Sequence, residues 1–238
     1  MLTMIHTICV KENAIKSPLR FIRLPSYTRG EEIFNMTTHI VGAALGVAAL
    51  MACILVAAFN RNVWGVVSGS IYGAMVILLF TMSSIYHGLQ AEKPKRVFRI
   101  IDHCTIYLLI AGTYTPMVLT RFREVYPLDA WIIFSTVWGL AIIGIVLNSI
   151  DLHRFRILSM ISYLGMGWIV VFRLNRLVEV LGGAFFILIL LGGVFYTIGA
   201  IFYLVGKKKK YMHSVFHLFV NVASVLHSIA IAVYIMPY

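Results

Sequence analysis

Charged residues are scarce in this chain. They make up 12% of 238 residues against 61% hydrophobic, and the mean hydropathy is +0.91. A soluble domain is nearer a quarter charged and half apolar, so composition excludes an ordinary soluble globular protein. Acidic residues are scarcer still: nine against 20 Lys and Arg, for a net charge of +11. The basic residues fall in short connections between apolar runs, not on an amphipathic face, which excludes nucleic acid as the partner. No protein partner is predicted either. Cysteine is limited to Cys9, Cys53 and Cys104. Their odd number and wide separation exclude a disulfide framework and a thiolate metal motif. Met1–Val10 lacks the basic leader of a secretory signal peptide. The short alternating segments of a membrane barrel are absent, and so are internal repeats and a second soluble domain.

Long apolar runs are what the sequence has instead. A hydrocarbon core of ~30 Å takes ~20 helical residues to cross. Seven runs qualify, roughly 39–59, 63–87, 101–120, 130–149, 156–173, 183–205 and 212–236, the fifth being short. In lipid their backbone polar groups must be paired within the segment, so they are expected to be helices. The expectation is an all-α, seven-helix integral membrane bundle over 31–238, with a tail over 1–30. Fifteen of the 20 Lys and Arg lie on one set of connections, including Lys207–Lys210, and five on the other. The positive-inside rule then puts the N-terminus and residues 1–30 in the cytoplasm and the C-terminus outside, in an inner (plasma) membrane. Gly42-x-x-x-Gly46 and the Gly65, Gly69, Gly73 series let helix backbones approach closely in lipid. Tight packing within the chain is favoured over a dimer signal. Pro116 is expected to kink the third helix.

Ionisable residues inside membrane helices are costly, so each is a candidate site. Here they gather at one end. The second helix ends at Ser83-Ser84-Ile85-Tyr86-His87, and the third begins with Asp102-His103. The seventh begins with His213-Ser214-Val215-Phe216-His217. The first begins at His39, preceded by Glu31, Glu32 and Asn35. His213 and His217 are four apart, on one helix face, a spacing that lets two imidazoles share a metal. His87 would complete three protein ligands. Zinc with three histidines leaves a fourth position open, the pattern of catalytic sites. Asp102 is then a candidate general base or a partner holding an imidazole. The competing reading is a set of hydrogen-bonded histidines joining helices. His103 points about 100° away from Asp102 and is assigned to packing; His6 and His153 are taken as solvated. Asn221, Ser224 and His227 continue the polar face of the seventh helix, to ~15 Å beyond His217 at ~1.5 Å per residue. They line either a lipid cavity or a hydrogen-bonded seam.

The blocks Glu31–His39, Ser83-x-x-x-His87, Ile101-Asp102-His103, Ala111–Pro116 and His213-x-x-x-His217, with the later His227, occur in this order. Together, over about residues 28–238, they resemble the hemolysin III family, the bacterial branch of the progestin and adipoQ receptor superfamily. The resemblance implies seven helices with an inward N-terminus. It also implies Zn2+ on the residues matching His87, His213 and His217, with Asp102 beside the metal's water and Ser83 in the same constellation. It further implies kinship with membrane hydrolases of lipid amides and a role in membrane lipid balance, with membrane lipid as substrate or ligand. Three functions stay open: a zinc-dependent lipid amidohydrolase, a cytolysin or channel, and a receptor or membrane sensor with structural zinc. Crowding of the polar groups at one end argues against a pore, which needs polar lining along its whole length.

Overall fold

The computed structural model describes residues 22–205 and 209–238, and among these it is helical with no strand. The expectations for His6, Cys9, most of the 1–30 tail, and Lys207 and Lys208 fall outside the described residues. The order is α1 Arg29–Phe59, α2 Val63–Gly88, α3 Glu92–Leu119, the short α4 Arg121–Val125, and α5 Pro127–Asp151. Then follow α6 Arg156–Trp168, a 3-10 turn at Ile169–Arg173, α7 Leu174–Leu181, α8 Gly183–Val205, and α9 Met212–Tyr234. Among the described residues six helical stretches are long and apolar enough to cross a membrane: α1, α2, α5, α6 through α7, α8 and α9.

The expected third crossing is the exception, for a physical reason. Residues 111–119 of α3 are buried at every position, because α3 packs against α2, α4, α5, α6 and α9. A helix walled by protein does not need the apolarity of one walled by lipid. It carries Asp102, His103, Thr105, Thr113 and Thr115 among its apolar residues. The helices around it show lipid-suited outer faces: Ile132, Ile142, Ile143 and Val146 of α5 are all exposed.

Three boundaries differ from expectation. The first helix begins ten residues earlier, at Arg29. Thr28 accepts the Glu31 amide at 3.3 Å, and the Glu31 carboxylate accepts the Thr28 amide at 2.9 Å. This capping box satisfies two orphan donors and places Glu32, Asn35 and His39 on helical turns. The third helix also starts early, at Glu92. The short fifth run extends to Leu181, but it is interrupted. The Tyr114 hydroxyl of α3 donates to the Gly167 carbonyl at 3.0 Å and accepts the Val170 amide at 2.9 Å. A side chain inserted into the helical ladder forces the irregular turn.

The glycine series packs within the chain. A Cβ on Gly73 would lie 2.6 Å from the Leu50 Cβ, and one on Gly42 would lie 2.5 Å from the Phe80 ring. Thus α1 and α2 approach at backbone distance where α2 must deliver its C-terminal histidine.

Candidate metal centre and cavity

The centre is assembled where the end of α2 meets the starts of α1 and α9. Glu31, besides capping α1, accepts the Tyr211 amide at 2.8 Å. Tyr211 has a left-handed backbone, φ 61°, and is the N-cap of α9. One carboxylate therefore ties the start of α1 to the start of α9. A turn further in, the Ser214 hydroxyl donates to Asn35 Oδ1 at 2.6 Å. These two bonds hold the His213–His217 face toward α2.

His87, His213 and His217 come together there, with one ring nitrogen of each within 4.8 Å of the others. His87 and His217 are almost fully buried. The Nε2 atoms of His213 and His217 are 2.9 Å apart. Two ligands of a tetrahedral zinc lie about 3.3 Å apart, given Zn–N of ~2.0 Å, so this pair is spaced for one ion. His87 provides the sharper test. Its Nδ1 lies 2.6 Å from Glu32 Oε2, and Lys95 Nζ donates to Glu32 Oε1 at 2.8 Å and to the Leu89 carbonyl at 3.0 Å. A carboxylate paired with an ammonium accepts only, so the His87 proton sits on Nδ1. The lone pair is then on Nε2, which is buried without a partner. A buried acceptor facing two more imidazole nitrogens, held by a carboxylate from behind, fits a metal ligand. The donor set suits zinc.

Around the triad, Tyr27 stacks on His213 with ring centroids 5.0 Å apart. It lies ahead of α1, and burial pushes its phenol well above the usual tyrosine range, with the Tyr86 and Tyr203 phenols adding to the shift. His39 packs on His217 at 3.9 Å between centroids, and neither of its nitrogens meets a hydrogen-bond partner. Asp102 does not hold a ligand imidazole. Its Oδ2 is 3.7 Å from Nδ1 of His103, which also meets the Arg99 carbonyl at 2.9 Å. The carboxylate behind a triad member is Glu32.

Through His213 and His217 the triad borders a cavity of about 620 Å³, within the usual range of ligand sites. His39, Ser83, Asp102, His103, His213 and His217 line its polar end. His227 lines its other reach and bonds the Ile189 carbonyl through Nε2 at 3.1 Å. Asn221 and Ser224 bond across helix seams instead: Asn221 Nδ2 donates to the Thr38 carbonyl of α1 at 3.4 Å, and Ser224 shares a 2.7 Å bond with the Tyr196 hydroxyl of α8. Sequence reasoning missed Lys95 and Tyr27. The burial of a lysine and the folding back of a residue ahead of α1 leave no periodic signal.

A family model for haemolysin-III-related proteins matches residues 27–228. Hemolysin-3 of Bacillus cereus is 38% identical over 207 residues, covering 87% of this chain and 93% of that one. The Hemolysin-3 homolog of Bacillus subtilis (strain 168) is 40% identical over 194 residues, 82% and 89% of the two chains. The human Monocyte to macrophage differentiation factor is 27% identical over 216 residues, 86% and 84%. No solved structure matches. These relatives agree with the resemblance to hemolysin III within the progestin and adipoQ receptor superfamily. With six helices fit to cross a bilayer, the protein is a multi-pass membrane protein, in a bacterial cell one of the inner membrane. The chain belongs to the haemolysin-III-related family.

Proposed function

We propose that this protein is a zinc-dependent hydrolase of acyl lipids, with lipid amides as the first substrates to test, and that it spans the membrane seven times with its N-terminus in the cytoplasm. The observation that carries the reading is a histidine triad, two members of which, His213 and His217, line a cavity large enough for a lipid chain. His87, His213 and His217 would hold the ion, and Glu32 with Lys95 would fix the His87 ring. Zinc there supplies Lewis acidity toward an acyl carbonyl and a nucleophile from water near neutral pH.

The chain's own residues take the remaining roles. Asp102, on the cavity wall, accepts the proton of the attacking water and returns it to the leaving amine. Ser83, buried and lining the same cavity, offers a hydroxyl to the carbonyl oxygen. Tyr27 packs on His87 and His213 and Tyr86 on His87, while the apolar length of the cavity keeps bulk water from the acyl chain. The crossing count follows from α3, which at 28 residues is long enough to span and is sheathed by other helices.

The test is metal content of detergent-purified protein by mass spectrometry. About one zinc per chain is expected, lost in His87→Ala and in His217→Ala while the thermal transition survives. Zinc absent from well-folded wild-type protein would return the histidines to a helix-joining seam and favour the sensor or cytolysin alternatives.

A further inference from the structure

The charge lining the cavity is uneven. Arg23, Arg99 and Arg156 line it, and Asp102 is the only acidic residue among the described lining residues. The three arginines come from separate places: the segment ahead of α1, the body of α3, and the first residue of α6. A topology signal explains basic residues at a membrane boundary, but it asks only that they reach water. Some cations have carboxylate partners: Lys95 pairs with Glu32 and Arg96 with Glu92 at this boundary, and Arg173 and Arg176 with Asp129 at the other. Arg23, Arg99 and Arg156 form no ion pair among the described residues, and they share their cavity with His213 and His217. Arg154, two residues from Arg156, does not line the cavity and lies over the Phe155 ring at 5.6 Å.

Arg99 is half-buried and Arg23 and Arg156 are exposed; guanidinium groups gathered along one cavity without a carboxylate partner attract anions. Their planar forks fit phosphate and carboxylate oxygens bidentately. Farther along, Ile106, Ile110, Met160, Ile161 and Leu164 line an apolar stretch suited to an acyl chain. Resting on the triad as the metal centre of a lipid hydrolase, we propose that the cavity takes an acyl lipid with an anionic head group. Arg23, Arg99 and Arg156 hold its phosphate or carboxylate oxygens beside the histidines. A neutral lipid amide lacks the group this lining is charged to receive.

The experiment measures binding, not turnover, so it is independent of the hydrolase reading. Full-length protein in detergent is titrated with dioleoylphosphatidylglycerol or dioleoylphosphatidylcholine and followed by native mass spectrometry. Wild type should prefer the anionic lipid by about tenfold, the scale of one or two charged hydrogen bonds. Arg99→Gln/Arg156→Gln should lose that preference while keeping wild-type zinc content and thermal unfolding. Arg154→Gln, at the same boundary but outside the cavity, should keep it. Equal binding of the two lipids by wild type overturns the inference. So does an Arg154→Gln variant as impaired as the double one, which would assign the effect to general surface charge. Binding of inorganic phosphate with no retained lipid would assign the arginines to a free anion and overturn the lipid assignment. Lipid preference in a wild type without zinc would leave this inference standing and remove the hydrolase.

Discussion

At the residue scale the centre depends on pairs that cross between helices. Glu32 orients His87 from α1, and Lys95 of α3 holds Glu32, so three helices meet on one carboxylate. Carboxylate partners of ligand histidines are worth ~10–100-fold in metal affinity. Glu32→Gln keeps the shape and removes the charge, so zinc affinity should fall within that range in a chelator competition while the helices stay folded. Unchanged affinity would show that His87 does not depend on Glu32. Tyr27 offers a second readout. Its phenol pKa is raised in the folded protein, above all by burial. A raised pKa means its share of stability is full below the unfolded value of ~10 and is lost as pH rises beyond it. Tyr27→Phe should therefore lose less stability than wild type on going from pH 9 to pH 11. Parallel alkaline profiles of thermal unfolding would refute this.

The elements carry a different lesson. A helix read from apolar length alone stops where the run stops, so the first helix was expected to begin at His39 and the third at residue 101. The capping box at Thr28 and Glu31 and the charged first turns of α3 are amphipathic or polar, and hydropathy does not see them. Conversely, the fifth run is too short as an apolar segment because its continuation, Leu174–Leu181, holds Asn175, Arg176 and Glu179. The break between its two parts is imposed from outside by Tyr114. Tyr114→Phe leaves the Val170 amide without its hydroxyl partner, and a buried unmet donor costs about 1–3 kcal/mol. Thermal stability should drop accordingly, with faster amide exchange confined to residues 167–173. No change in exchange there would mean that the helix closes its own ladder once the hydroxyl is gone.

On the scale of the whole molecule, six helices satisfy a composition test for crossing and the most central one does not. The bundle interior shields α3, which lets it carry the polar residues that face the cavity. Orientation is a matter of Lys and Arg placement. Single cysteines at Arg154→Cys and Arg61→Cys, in a background lacking the native thiols, should label from opposite sides of sealed vesicles. Position 154 should react only from the cytoplasmic side. Labelling of both from one side would break the seven-crossing reading.

The sequence by itself determined the membrane class, the helical architecture and the level at which the polar residues gather. Hydropathy, the demand for internal backbone pairing and helical spacing are local properties, readable along the chain. It also delivered His213 and His217 as a pair, since four residues bring side chains to one face on any helix. Packing alone settles that His87 joins them, that Glu32 rather than Asp102 backs its ring, that Tyr27 stacks on His213, and that Arg23, Arg99 and Arg156 line the cavity while Arg154 does not. Those outcomes depend on which helix faces pack together, and packing in a membrane is set by shape and by interhelical hydrogen bonds between residues up to 183 positions apart.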